Sequence, residues 1–169
     1  KVKGTYTGPI DVKDAPRVVE SHEWDLKEDH VLTFESENIK VSAFSDKYTV
    51  EGALVWKIQI QQYNANWSWS SDQLTVSIVN SLEESEAPVP GIYRVSKHNE
   101  MGTVLAGEYF GTFGLGTFFQ YYEDGAIVSA GAAFDGEMAL SKNGDGTYTI
   151  EFDFIDEQIE PKHFSGTWT

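Results

Sequence analysis

The stretch "SKNGDGTYTIEFDFID", Ser141–Asp156, decides the fold class. Apolar side chains occupy every second position from Tyr148 to Phe154, and polar residues fill the positions between them. A period of two is typical of a strand with one buried and one exposed face. The preceding segment, Asn143–Gly146, contains both Asn-Gly and Asp-Gly, which tolerate the positive φ angles of tight hairpin turns. The stretch therefore predicts an antiparallel β-hairpin.

The same alternation recurs along the chain, at Leu54–Gln61 and Leu74–Ile78. In "HVLTFESENIKVSAF" it changes phase near 36–38, which predicts a bulge or a turn there. Further strand candidates, separated by turn signals such as "YEDGA", are Gly91–Lys97, Leu105–Phe113, Thr117–Glu123, Ala126–Ala133, Glu137–Lys142 and Lys162–Thr169. Helix signals are weak, with one acidic turn expected at Ser81–Pro88.

About 8–11 short strands with little helix predict one all-β antiparallel domain, either a β-sandwich or a flattened β-barrel. We expect this domain to span residues 1–169, with less regular N-terminal strands over 1–52 and a repeat-like β unit over 53–169.

Composition restricts the partners and the chemistry. The net charge of −15 repels phosphate backbones, so we expect no nucleic-acid partner. The chain of 169 residues has no cysteine, which excludes disulfides and cysteine-based metal sites. No apolar run approaches the roughly 20 residues of a membrane helix. The abrupt strand-like start suggests a processed chain.

One phrase, Gly-Thr-aromatic-Thr, occurs at Gly4–Thr7, Gly146–Thr149 and Gly166–Thr169. Glycine permits a tight turn, and threonine and aromatic residues favour the strand that follows. The two terminal copies leave two alternatives open. Either Tyr6 and Trp168 lie on neighbouring strands of one closed sheet, or the first copy is the remnant of a preceding repeat.

Several phrases resemble those of a known group of proteins: "WKIQI", "QLTVSIVN", "VPGIYRVS", "LAGEYFGTF", "FFQYYEDG", "SKNGDGTYTIEFDFID" and "FSGTWT". The region from about Trp56 to Thr169 resembles a domain recurrent in secreted and lipid-anchored proteins of the Bacteroidetes. The opening "GTYTG" is similar to the start of calycin-like barrels of the same bacteria. The resemblance implies a secreted or cell-envelope domain, periplasmic or on the outer surface, without catalytic motif or cofactor. Membrane attachment would then require a lipid anchor on a preceding segment.

The most unusual local feature is "QQYNANWSWSSD", Gln61–Asp72. In an extended segment Trp67 and Trp69 share one face, and Asn64 and Asn66 lie beside them. Aromatic faces stack on sugar rings while amides bind sugar hydroxyls, so this segment is the candidate glycan site. The alternative is a hairpin whose tryptophans fold back over the core.

A second aromatic segment, "EYFGTFGLGTFFQYYEDG", cannot point all its rings into one core if it forms alternating strands. Tyr109, Tyr121 and Tyr122 are therefore candidate ligand-binding residues on a second rim. The alternative is a hairpin that covers the core.

Catalytic and metal-binding signals are weak. A glycosidase needs two carboxylates at a defined separation, and the pairs to inspect are drawn from Glu108, Asp124, Asp135 and Glu137. The four histidines lie in no ligand-spaced pair, so we predict no metal site. We also predict no catalytic residue.

The sequence thus favours a non-catalytic binding or structural module at the cell surface or in the periplasm, with a glycan as the expected ligand. The first alternative is a calycin-like barrel that holds a small apolar molecule in its lumen. A carbohydrate-active enzyme is the weaker alternative.

Overall fold

The computed structural model describes residues 21–23, 25–35, 37–47, 51–66, 69–84, 86–110 and 113–169. The strands of these residues are, in chain order, β1 His30–Val31, β2 Ile39–Lys47, β3 Ala53–Tyr63, β4 Trp69–Ser81, β5 Gly91–Ser96, β6 Thr103–Leu105, β7 Glu108–Phe110, β8 Phe113–Leu115, β9 Phe118–Glu123, β10 Ala126–Lys142, β11 Tyr148–Asp156 and β12 His163–Trp168. A short 3₁₀ turn, Leu82–Glu84, lies where an acidic turn was expected. None of the described segments is a helix long and apolar enough to cross a membrane. The all-β prediction is confirmed.

The strand pairing closes on itself. Strand β10 reaches β4 by two routes, through β9 at one end and through β5 and β6 at the other. This circuit makes a closed β-barrel core with extra strands on either side. Strands β11, β12 and β1 continue outward from β10, and β3 and β2 continue outward from β4.

Tight turns set the register of the long hairpins. The Asn143 N–H donates to the Thr147 carbonyl over 2.8 Å, which closes the β10–β11 hairpin at the predicted turn. Between β9 and β10, Asp124 and Gly125 have φ angles of 49° and 79°. Positive φ at both central residues is typical of the two-residue turns that match strand twist. Both hairpins that the sequence predicted are therefore present.

One face of the sheet forms the core. Alternate residues of β3, β4 and β11 point inward, as the period of two predicts. The buried residues of this cluster are Leu26, Leu32, Leu54, Trp56, Ile58, Ile60, Leu74, Val76, Ile78, Tyr93, Val104, Phe119, Ala133, Met138, Leu140, Ile150, Phe152, Phe154 and Phe164. Almost every strand contributes to this interior, so the sheet curls around it. A second, smaller buried cluster contains Ala53, Val55 and Val79.

One end of the barrel, called the closed end, lies where β12 begins and β3 ends. Residues 30–35 cross this end. The Leu32 N–H donates to Ser165 of β12 over 2.8 Å, and the Glu35 N–H donates to the Gln62 side chain of β3 over 2.9 Å. Leu26 and Leu32 are buried beneath this crossing. At the opposite end, called the open end, β3 begins and β10 and β12 finish.

Two strand boundaries differ from the sequence prediction. Ala126–Ala133 and Glu137–Lys142 belong to one long strand, because β10 keeps pairing through an irregularity between Ala133 and Asp135. The candidate Leu105–Phe113 is divided among β6, β7 and β8. The predicted phase change near 36–38 is confirmed, since β2 begins after Asn38, whose φ is 53°. The relation of Tyr6 to Trp168 lies outside the described residues.

Candidate functional site

An apolar cavity of about 360 Å³ lies at the open end of the barrel. It separates two walls that come from distant parts of the chain. Its lining residues are Val41, Ala43, Ile58, Pro88, Leu140, Thr147, Tyr148, Ile150, Trp168 and Thr169. Ligand sites for small molecules typically enclose about 300–1,000 Å³ and are mostly apolar, so the cavity is large enough for a small ligand.

One wall of the cavity is aliphatic and follows from the alternation of β2 and β3. Val41 pairs with Ile60 and Ala43 pairs with Ile58 in the antiparallel ladder. Residues that are directly opposite share a face of the sheet, so Val41 and Ala43 point the same way as the core of β3. Val41 is 40% exposed although it faces inward. The inner face of β2 is therefore uncovered at the cavity.

The other wall is aromatic and follows from the β10–β11 hairpin. Tyr148 is the first residue of β11, and Trp168 is the last residue of β12. Both side chains are half-buried and pack against the core cluster. Leu140 and Ile150, which are 3% and 2% exposed, lie deeper in the same cavity. This wall thus runs from two half-buried aromatic side chains to buried aliphatic side chains of the core.

The rim carries polar groups. The hydroxyls of Thr149 and Thr169 are 2.9 Å apart, and Thr149 also accepts from Asn143 Nδ2 over 3.0 Å. Lys142 Nζ lies 5.8 Å from the centroid of the Tyr148 ring, within reach of a cation–π contact. These polar groups lie beside the aromatic wall, on the β10–β12 side of the cavity.

The predicted glycan site lies at the tip of the β3–β4 hairpin. Asn64 and Asn66 are exposed, and the Asn66 N–H donates to Asn64 Oδ1 over 2.9 Å. Trp67 lies outside the described residues, as does the side chain of Trp69, whose backbone pairs with Tyr63. The structure therefore brings the two asparagines together, and the role of the tryptophans stays a prediction.

The three candidate tyrosines do not share one surface. Tyr121 packs against the core at the closed end, with its ring centroid 5.5 Å from that of His30. Tyr109 lies against Phe118 at 5.7 Å, and its hydroxyl donates to the Phe119 carbonyl. Burial first, and then the charge of Tyr122, raise the pKa of Tyr109 well above its usual value. The aromatic residues of this segment thus occupy both sides of the sheet, as alternation requires.

Tyr122 lies on the Tyr109 side of the sheet. Its hydroxyl donates to Gln120 Oε1 over 3.3 Å, and burial raises the pKa of Tyr122. Tyr122 contributes nothing to the cavity at the open end.

Sequence reasoning missed a partly buried hydrogen-bonded pair at the closed end. Asp72 is 2% exposed, and its Oδ1 lies 2.7 Å from His30 Nε2. Its Oδ2 accepts from the Thr33 N–H, also over 2.7 Å. Since 42 residues separate His30 from Asp72, no local motif could have revealed the pair. The contact ties residues 30–33 to β4.

The carboxylates considered for catalysis are spread over the surface. Glu108, Asp124, Asp135 and Glu137 are all exposed. Glu137 Oε2 lies 3.7 Å from Arg94 Nε, and Asp135 Oδ1 accepts from the Gly136 N–H. Among the described residues no three histidine or acidic side chains are close enough to hold a metal ion.

Comparisons with protein-family models, with curated proteins and with solved structures found no match to this chain.

Proposed function

We propose that the protein is a binding module that holds a small apolar molecule in the cavity between its outer strands. The apolar cavity of about 360 Å³ between β2–β3 and β11–β12 is the observation that supports this function. Burying apolar ligand surface contributes roughly 25 cal/mol per Å², so a cavity of this lining favours apolar ligands. The crossing of residues 30–35 covers the other end, through the hydrogen bonds to Ser165 and Gln62.

The net charge of the chain bears on the ligand as well. At −15, the protein disfavours the approach of anions through its long-range field. The ligand of this proposal is therefore neutral or cationic. Glycan binding at Trp67, Trp69, Asn64 and Asn66, and a secreted or envelope location, stay predictions of the sequence.

A fluorescence titration tests the proposal. Phenylnaphthylamine is neutral and brightens in apolar surroundings, and we expect saturable binding to one site. Ala43→Glu places a carboxylate on the inner wall of the cavity, where Ala43 is exposed. An apolar ligand that covers this wall would bury the charge without a partner, which is costly. We expect this substitution to weaken binding more than about tenfold.

The matched control is Ser42→Glu, which adds the same charge to the opposite face of the same strand. It should bind the probe within about twofold of the wild type. Absence of saturable binding, or an equal loss in both variants, would contradict the proposed function.

A further inference from the structure

The interior of the barrel contains a ladder of aromatic rings. From the closed end, the His30 ring stacks on Phe119 with centroids 5.2 Å apart, and Phe119 contacts Phe164 at 4.8 Å. Phe164 contacts Phe154 at 5.5 Å, and Phe154 stacks on Phe152 at 5.5 Å. Each ring in this ladder has an aromatic neighbour at the separation that such pairs prefer.

The ladder ends before the open end. Trp168 pairs with Ile150, so Trp168 and Tyr148 are diagonal neighbours on the inner face of β12 and β11. Both line the cavity. In the part of the chain that the structure describes, no other aromatic ring stacks on either of them. Along the inner face, Trp168 and Tyr148 are the aromatic residues that follow Phe152 towards the open end.

Among the described residues that line the cavity, the opposite wall has no aromatic side chain. Val41, Ala43 and Ile58 supply short or branched aliphatic groups across the cavity from Tyr148 and Trp168. The cavity is thus a slot with one aromatic and one aliphatic side. A flat ring can stack on the first while its other face packs against the second.

We infer that the ligand carries a flat aromatic ring, which stacks on Trp168 and Tyr148 and extends the ladder by one place. This inference rests on the proposed function. An offset-stacked or edge-on aromatic pair adds about three- to tenfold in affinity beyond the area that it buries. A flexible alkyl chain of similar size gains no such contact and must also be ordered on binding.

The test compares two ligands by isothermal titration calorimetry. Naphthalenemethanol has a flat ring system, and decahydronaphthalenemethanol is its saturated counterpart with the same carbon skeleton. The measured quantity is the ratio of their dissociation constants in each variant. Differences in ligand hydration are common to all variants, so they cancel when ratios are compared.

Trp168→Leu and Tyr148→Leu remove one ring each from the aromatic wall. We expect each to reduce the preference for the aromatic ligand by about three- to tenfold relative to wild type. Val41→Leu changes the aliphatic wall and should leave the ratio within about twofold. If thermal unfolding shows that Trp168→Leu destabilises the fold, Tyr148→Leu still provides the comparison.

The outcomes separate the two claims. If both ligands bind but the ratio is the same in all variants, the aromatic ring is not recognised and this inference is wrong, while the proposed function stands. A ratio that falls as much in Val41→Leu as in Trp168→Leu also overturns it. If neither ligand binds the wild type, the proposed function itself fails.

Discussion

Replacing Asp72 by alanine removes the acceptor of both contacts that tie residues 30–33 to β4. The side chain is 2% exposed and bonds His30 Nε2 and the Thr33 N–H, each over 2.7 Å. Hydrogen bonds to charged groups contribute about 1.5–3 kcal/mol each, so the two amount to about 3–6 kcal/mol. Relief of the carboxylate's desolvation offsets part of this. We expect the free energy of unfolding to fall by about 3 kcal/mol.

Urea unfolding followed by the fluorescence of the five tryptophans measures this loss. For a chain of this size it corresponds to a decrease in Tm of about 6–12 °C. The matched control is Glu137→Ala, whose exposed side chain lies 3.7 Å from Arg94 and should change stability by less than about 0.5 kcal/mol. An Asp72→Ala loss as small as that of the control would refute the role assigned to Asp72.

Two further predictions concern a close backbone approach and a pH dependence. At Gly116, where φ is 68°, an added Cβ would lie 2.1 Å from the Ala106 carbonyl oxygen. Gly116→Ala should therefore lower the free energy of unfolding in urea by about 2–4 kcal/mol. In the control Gly144→Ala, where an added Cβ has nothing within 4 Å, the loss should be under about 1 kcal/mol. The hydrogen bond that His163 Nδ1 donates to Asp153 raises the pKa of His163. This contact therefore stabilises the fold below pH about 6.5, and the stabilisation is lost as pH rises through the folded pKa. An NMR titration should find a raised pKa that Asp153→Asn lowers, and a wild-type pKa at the ordinary value would contradict it.

Local chemistry made much of the fold predictable. The turn at Asn143–Gly146 and the alternation from Tyr148 to Phe154 predicted a hairpin that the structure contains. Both signals lie within a few residues of each other, and backbone conformation depends mainly on such neighbours. The division of the Leu105–Phe113 region into short strands escaped prediction, because that segment pairs according to tertiary context rather than its own pattern.

The cavity was not predictable as a site, although a lumenal ligand was among the alternatives. Its aliphatic wall at Val41 and Ala43 meets an aromatic wall at Tyr148 and Trp168, from opposite parts of the chain. For each of these residues, the sequence pattern predicts only a side chain on the inner face of a strand. Only the closure of the sheet decides which inward positions are covered and which line a cavity.

The most direct test of the central claim is a set of intermolecular NOEs between bound naphthalenemethanol and the methyl groups of the protein. Binding at the open end predicts NOEs to Ile58, Leu140 and Ile150, whose side chains line the cavity. Methyl groups that are exposed elsewhere, at Ile92 and Val128, should show none. NOEs confined to Ile92 and Val128, or the absence of any NOE at saturating ligand, would contradict the account.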